Sequence, residues 1–270
     1  MRILLTNDDG IHAEGLAALE RIAATLSDDV WICAPEAERS GASRALTLSE
    51  PIRVREYGPT RFSTTGTPTD CVMLALRVLV RGARPDLVLS GVNRGVNLGE
   101  DVTMSGTVAG AIEAMALGVP GIALSQGGFY EGDTDYDASE AFAPGIIHRL
   151  LEVGWPDDVI MNLNFPGRPP AEITEVEVTR QGFRDVHVRT AEKRTDLRGR
   201  DYYWVGYRQE RSSPAEGTDL RAIYDGRISV TPLHIDLTHN ESVHKLRGVL
   251  GGAPPRLPER QKGLPEAQGA

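Results

Sequence analysis

Two aspartates stand side by side at Asp8 and Asp9, inside Thr6-Asn7-Asp8-Asp9-Gly10 and directly after the apolar run Ile3-Leu4-Leu5. Adjacent carboxylates at the mouth of a buried strand raise each other's pKa, because like charges repel strongly where water is scarce. A divalent cation resolves that conflict. The loops Glu36-Ala37-Glu38-Arg39-Ser40-Gly41 and Ser90-Gly91-Val92-Asn93-Arg94-Gly95-Val96-Asn97 add Ser hydroxyls and Asn carbonyls. Such hard oxygen donors suit Mg²⁺ or Mn²⁺. Asn-Asp-Asp-Gly is also good turn chemistry, so a solvated Asx turn is the competing reading, and spacing leaves both open.

Ser105-Gly106-Thr107 forms a second focus. Val108, Ala111, Ile112 and Met115 follow at the spacing of one helical face. The tripeptide therefore opens a helix, where unpaired N–H groups and the dipole favour an anion and Gly106 permits close approach. Ordinary capping by Ser105 explains the same residues equally well. A metal site and an anion site on neighbouring loops would together make a phosphoryl-transfer site.

Other chemistries fail on spacing. The first strand is not followed by G-x-G-x-x-G, and no G-x-x-x-x-G-K-[ST] occurs. An aspartyl-nucleophile phosphatase would want D-x-D, but here the aspartates are adjacent. Asp133, Asp135 and Asp137 imitate a calcium loop, yet Ala138 and Pro144 stand where its glycine and bidentate Glu belong. The six histidines show no ligand spacing; His12 alone lies near the aspartates and is a secondary candidate there. Cys33 and Cys71 fall inside a strand and a buried helix, which makes them core residues.

The elements that must position these groups alternate through the first 125 or so residues. Strands are expected at Ile3–Leu5, Val30–Ala34, Leu87–Leu89 and Gly121–Leu124, with extended chain at Ala45–Glu56 and Arg61–Thr64. Thr67-Pro68-Thr69-Asp70 is a capping box with proline at the first helical position, opening a helix to about Arg81. This alternation predicts an α/β, doubly wound, mostly parallel sheet whose ligands sit beyond the strands' carboxyl ends. The second half has a helix near Ala138–Leu151, strained by Pro144-Gly145, a strand Val159–Leu163 and β-like alternation over Ile173–Val178. The Arg-rich stretch Arg180–Arg200 reads as a C-terminal β-rich arm for the sheet or a partner subunit. The expected division is residues 1–126 as catalytic core, 127–250 as C-terminal part with the arm, and 251–270 as a disordered Pro/Gly tail.

Across 270 residues the net charge is -9, which excludes DNA or RNA polymers as partners held by bulk electrostatics. No signal peptide or membrane span is expected, and two cysteines fit a reducing, cytoplasmic compartment.

Six segments, in order, carry a resemblance. They are Leu4-Leu5-Thr6-Asn7-Asp8-Asp9-Gly10-Ile11, Ala34-Pro35 with Arg39-Ser40-Gly41-Ala42-Ser43, Gly66-Thr67-Pro68-Thr69-Asp70-Cys71-Val72, Ser90 to Asn97, Ser105-Gly106-Thr107-Val108 and Ser229-Val230-Thr231-Pro232-Leu233. Together they resemble the survival protein SurE family of metal-dependent 5′/3′-nucleotidases, from residue 1 to about 245. The resemblance implies a Rossmann-like domain that hydrolyses nucleoside monophosphates, with short polyphosphate as a further substrate. It implies one divalent ion per subunit, Mg²⁺ or Mn²⁺, on Asp8, Asp9, Ser40 and Asn93; Asp8 or Asp9 is then the group expected to orient or deprotonate the attacking water. It places Asn97, Ser105, Gly106 and Thr107 on the phosphate, and a dimer or tetramer built through the arm. A nucleotide sensor that binds in the same crevice without cleaving is the alternative.

Overall fold

The computed structural model describes residues 1–128, 135–184, 189–207 and 212–252. The tail expectation from residue 253 onward, the calcium-loop imitation at Asp133 and the middle of the Arg-rich stretch (185–188) lie outside the described residues.

Apolar runs become strands where flanking strands and helices take up their faces. β1 (Arg2–Thr6), β2 (Asp29–Pro35), β5 (Leu87–Arg94), β6 (Gly121–Gln126) and β7 (Val159–Phe165) are almost wholly buried, as expected for parallel strands covered on both sides. With β3 (Val54–Gly58), β4 (Arg61–Thr64), β8 (Val176–Val178) and β11 (Ile228–His234) they form one nine-stranded sheet in the order β3-β4-β2-β1-β5-β6-β7-β11-β8. The run from β4 to β7 is parallel; β3 pairs antiparallel with β4, and β11 pairs antiparallel with β7 but parallel with β8. The chain winds outward from β1 to β2 and β4, then returns to β5 on the other side. That reversal opens a crevice at the carboxyl ends of β1 and β5, where Thr6 lies opposite Ser90.

Alternate residues of β1 serve opposite layers. Ile3 and Leu5 pack with α1 (Glu14–Ala24) and α4 (Asp137–Val153) through Leu16, Leu19, Ala143 and Ile147. Leu4 faces the other way, into a cluster with Cys33, Val88, Val72 and Cys71 of α2 (Pro68–Leu74) and Ala114 of α3 (Gly106–Ala116). Both cysteines are thus core residues, as their positions implied. The sheet is doubly wound.

The capping box forms as predicted: Thr67 Oγ1 accepts from the Asp70 N–H, and Asp70 Oδ2 accepts from the Thr67 N–H. Several boundaries differ. The helix after Thr67 is α-helical only to Leu74, then passes into a π-helical turn, Ala75–Leu79. The chain from Ala45 to Arg53 is irregular rather than extended in a sheet; Asp70 and Thr67 hold its Thr47 and Ala45. β5 outlasts its apolar core by five residues because β6 continues to pair with it at Asn93 and Arg94. α4 runs unbroken through Pro144. Of the alternation at Ile173–Val178 only β8 forms, since Pro170–Glu172 turns just before it.

The Arg-rich stretch supplies β9 (Arg189–Thr195), which pairs antiparallel with β10 (Asp201–Tyr207) in a two-stranded hairpin of its own. Asp196 closes its turn by accepting from the N–H groups of Arg198 and Arg200. Tyr203, Trp204 and Val205 are exposed on it. Contacts divide the chain into Met1–Ile235 and a second unit from Asp236. The short α5 (Asp219–Tyr224) belongs to the first unit. In the second, α6 (Asn240–Leu250) is capped by His239 and buries none of its residues. No helix among the described residues is long and apolar enough to cross a membrane.

Candidate active site

The loop after β1 is an Asx turn, and it also carries the carboxylates. Asn7 is buried; its amide donates to the Gly10 carbonyl at 2.9 Å, and its Oδ1 accepts from the Gly10 N–H. Gly10 sits at φ +106°, a region closed to most side chains. The turn is therefore the scaffold that carries Asp8 and Asp9.

Asp8 is 4% exposed and faces the N-terminus of α3. The Thr107 hydroxyl donates to its Oδ1, and the Gly106 Cα packs on the other side of the carboxylate. Burial pushes the Asp8 carboxyl up to about 6; the Thr107 hydroxyl pulls the other way, and the charges of Asp9 and Glu38 add less. Asp9 is also raised, first by burial, while the Arg94 N–H donates to its Oδ2 at 3.2 Å and lowers it. Desolvation, rather than the mutual repulsion expected from the sequence, is the leading cause at both residues.

The remaining loops are tied to this turn. The Arg39 N–H donates to the Asp8 carbonyl at 2.8 Å, which brings Ser40 alongside. Ser40 is exposed, and its hydroxyl donates to Glu38 Oε1. Ser43 binds the chain just before α3 through Met104 O and Thr103 O, and Arg44 pairs with Glu113 of α3 at 2.8 Å. Asn93, half-buried at the end of β5, donates its amide to Gly95 O. Ser105 caps α3: its Oγ and carbonyl take the N–H groups of Val108 and Ala109. The N–H groups of Gly106 and Thr107 lead them and are orphan donors by position.

A cleft of about 480 Å³ opens beside Asp9 and Ser40, lined also by His12, Glu38, Arg94 and Tyr136. His12 packs edge-on against Tyr57, which carries Arg55 on its ring. Tyr136 is pushed up to about 12, by burial first and then by the charge of Asp9. The structure thus brings Asp8, Gly106 and Thr107 into contact and puts Asp9 and Ser40 on one cleft. Asn97 lies toward β6 and β7, where its amide donates to Ser125 Oγ.

The donor set fits a hard dication. Among the described residues no group of three or more His, Cys, Asp and Glu side chains is gathered for a metal, so the oxygens of Ser40 and Asn93 would have to complete the shell. Asp8 is a buried carboxylate whose nearest bond comes from a neutral hydroxyl, the condition a cation relieves. Tyr136 and Glu113 escaped the sequence reading. Asn162 and Asn164 escaped it too, although two amides at alternate positions of an apolar strand were a readable signal.

The profile of the survival protein SurE family matches residues 3–188. The chain belongs to the survival protein SurE family. It is 75% identical over 257 residues to the 5′-nucleotidase SurE of Phenylobacterium zucineum (strain HLK1), covering 95% of this chain and 100% of that protein. It is 71% identical over 259 residues to the 5′-nucleotidase SurE of Caulobacter vibrioides (strain NA1000 / CB15N), covering 95% and 98%. The crystal structure of the SurE protein from Aquifex aeolicus superposes with a TM-score of 0.79 at 38% identity, over 92% of this chain and 99% of that one. The SurE resemblance and the α/β fold read from the sequence are borne out.

Proposed function

We propose that this chain is a divalent-metal-dependent phosphomonoesterase that hydrolyses nucleoside 5′-monophosphates, and 3′-monophosphates and short polyphosphate as well. The nucleotidase names of its SurE relatives support the reaction class. One observation carries the rest: the Asp8 carboxylate lies against the first residues of α3, so a cation site and an anion-binding helix end share one wall.

Asp8, Asp9, Ser40 and Asn93 would hold one Mg²⁺ or Mn²⁺ per subunit. Bound there, the ion supplies positive charge for the phosphoryl oxygens and lowers the pKa of water. The N–H groups of Gly106 and Thr107, with Ser105 and Asn97, hold the phosphoryl oxygens and stabilise their charge in the transition state. Asp8 or Asp9 orients the attacking water and takes its proton. Water adds to phosphorus, the ester P–O bond breaks, and the nucleoside hydroxyl leaves with a proton. The cleft beside Asp9 is large enough for the nucleoside.

A cytoplasmic enzyme of this kind needs no nucleic-acid polymer or membrane partner. The exposed aromatic hairpin β9–β10 serves a homo-oligomer, dimer or tetramer. The test is phosphate release from AMP and GMP with Mn²⁺, with Mg²⁺ and with chelator. Release that the chelator abolishes is expected. Nucleotide binding without release would make the chain a sensor instead.

A further inference from the structure

Beneath α3 the face of the sheet is apolar at Ala123, Ile160 and Leu233, then turns polar toward the carboxyl ends of β6 and β7. Asn162, Asn164, Ser125, Ser229 and Thr231 stand there, each at most 1% exposed. Their register stacks Asn164 between Ser125 and Ser229, and sets Asn162 beside Thr231. Burying two amides costs free energy unless each makes good bonds.

Their bonds converge on one residue. Asn164 Oδ1 accepts from the Asn97 N–H at 2.8 Å, and Asn164 Nδ2 donates to the Asn97 carbonyl at 3.2 Å. Asn162 Nδ2 donates to the same carbonyl at 2.9 Å. Ser125 Oγ accepts from the Asn97 side-chain amide at 2.8 Å. The two peptide groups flanking the Asn97 Cα are therefore pinned from the sheet, and its side chain is pinned as well. Asn97 itself lies in irregular chain between β5 and α3, with no strand or helix of its own to orient it.

We propose that Asn164, assisted by Asn162 and Ser125, is a positioning residue that sets Asn97 for the substrate phosphoryl group. The proposal rests on the reading of Asn97 as a phosphate contact. Pre-organised donors keep their value only while their geometry is fixed, so loosening Asn97 weakens phosphate binding without disturbing the cation site.

The test measures AMP hydrolysis and inhibition by inorganic phosphate in the full-length chain with Mn²⁺, for Asn97→Ala, Ser125→Ala and Asn164→Leu. Each buried hydrogen bond lost is expected to raise KM and the phosphate inhibition constant about fivefold, and Asn164→Leu, which loses two, at least tenfold. The Mn²⁺ concentration for half-activity should stay within about twofold of wild type in all three. Unchanged phosphate inhibition in Asn97→Ala overturns the phosphate-contact reading and the proposal with it. Altered inhibition in Asn97→Ala but wild-type constants in Ser125→Ala and Asn164→Leu, with only Tm lowered, overturns the positioning role alone. If Asn164→Leu does not fold, Ser125→Ala decides.

Discussion

Gly106 and Asp8 are in contact across 98 positions of sequence: a methyl group on the Gly106 Cα would meet Asp8 Cβ at 2.8 Å and Oδ2 at 2.9 Å. Asp8 cannot retreat, because it is buried and its backbone carbonyl holds Arg39. Gly106→Ala should therefore push the Asp8 carboxylate and the helix start apart, lowering kcat/KM by about a hundredfold while costing about 1–3 kcal/mol of stability. Steady-state kinetics beside thermal unfolding checks both. Full activity in this variant would mean that the contact has no part in the chemistry.

The Asp8 carboxyl titrates near 3.8 when unfolded and near 6 when folded, so the folded chain binds more protons between those values. Stability from this group consequently falls as pH rises through that window, and the cost is complete above about 6. In metal-free buffer Asp8→Asn should match wild type near pH 4 and exceed it by about 2–3 kcal/mol at pH 7. Asp219 is raised in the same sense, again by burial, so only the difference between the two proteins isolates Asp8. Adding Mn²⁺ should close the gap by stabilising wild type. Parallel pH profiles for the two proteins would remove the assignment of a raised pKa to Asp8.

Asp9 faces the cleft and takes the Arg94 N–H, a bond that an Asn carbonyl can also accept. Asp9→Asn should keep its Tm within a few degrees and lose about a hundredfold or more in kcat. Half-activation should also need more Mn²⁺. Near-wild-type turnover in metal-containing buffer would sink the role given to Asp9.

Tyr203 and Trp204 expose about 60% of their surface on a hairpin that packs into no sheet but its own. Such exposed aromatic area favours association. A Tyr203→Ser, Trp204→Ala double variant should lower the mass read by light scattering, with kcat per folded subunit measured alongside. A mass equal to wild type would place the subunit contact elsewhere.

The Asx loop was legible because a buried run and strong turn residues meet there, and Thr67 to Asp70 because a capping box is local. The value of Gly106 was half legible: the helix start could be read, but its contact with Asp8 depends on how β1 and α3 pack. The polar face of Asn162 and Asn164 was half legible: two amides alternate within an apolar strand, but their partner Asn97 lies 65 and 67 positions away in sequence. The end of β5 was misplaced because Asn93 and Arg94 pair with β6 while carrying polar side chains. The irregular chain before β3 was misread because its partner, Asp70, lies in a helix rather than a neighbouring strand.

The strand order has a bearing on how far the sheet can grow. Its two outer members are poor templates. β3 carries Arg55 and Glu56 and shifts register against β4 at Glu56 and Gly58, while β8 offers only three residues. Charge, a bulge and shortness are the usual guards against edge-to-edge addition. Copies of this chain are thus discouraged from extending the main sheet into a filament. The hairpin, seven residues to a strand, is the longer open ladder among the described residues. The edge left open for pairing with another chain is therefore on the hairpin rather than on the main sheet.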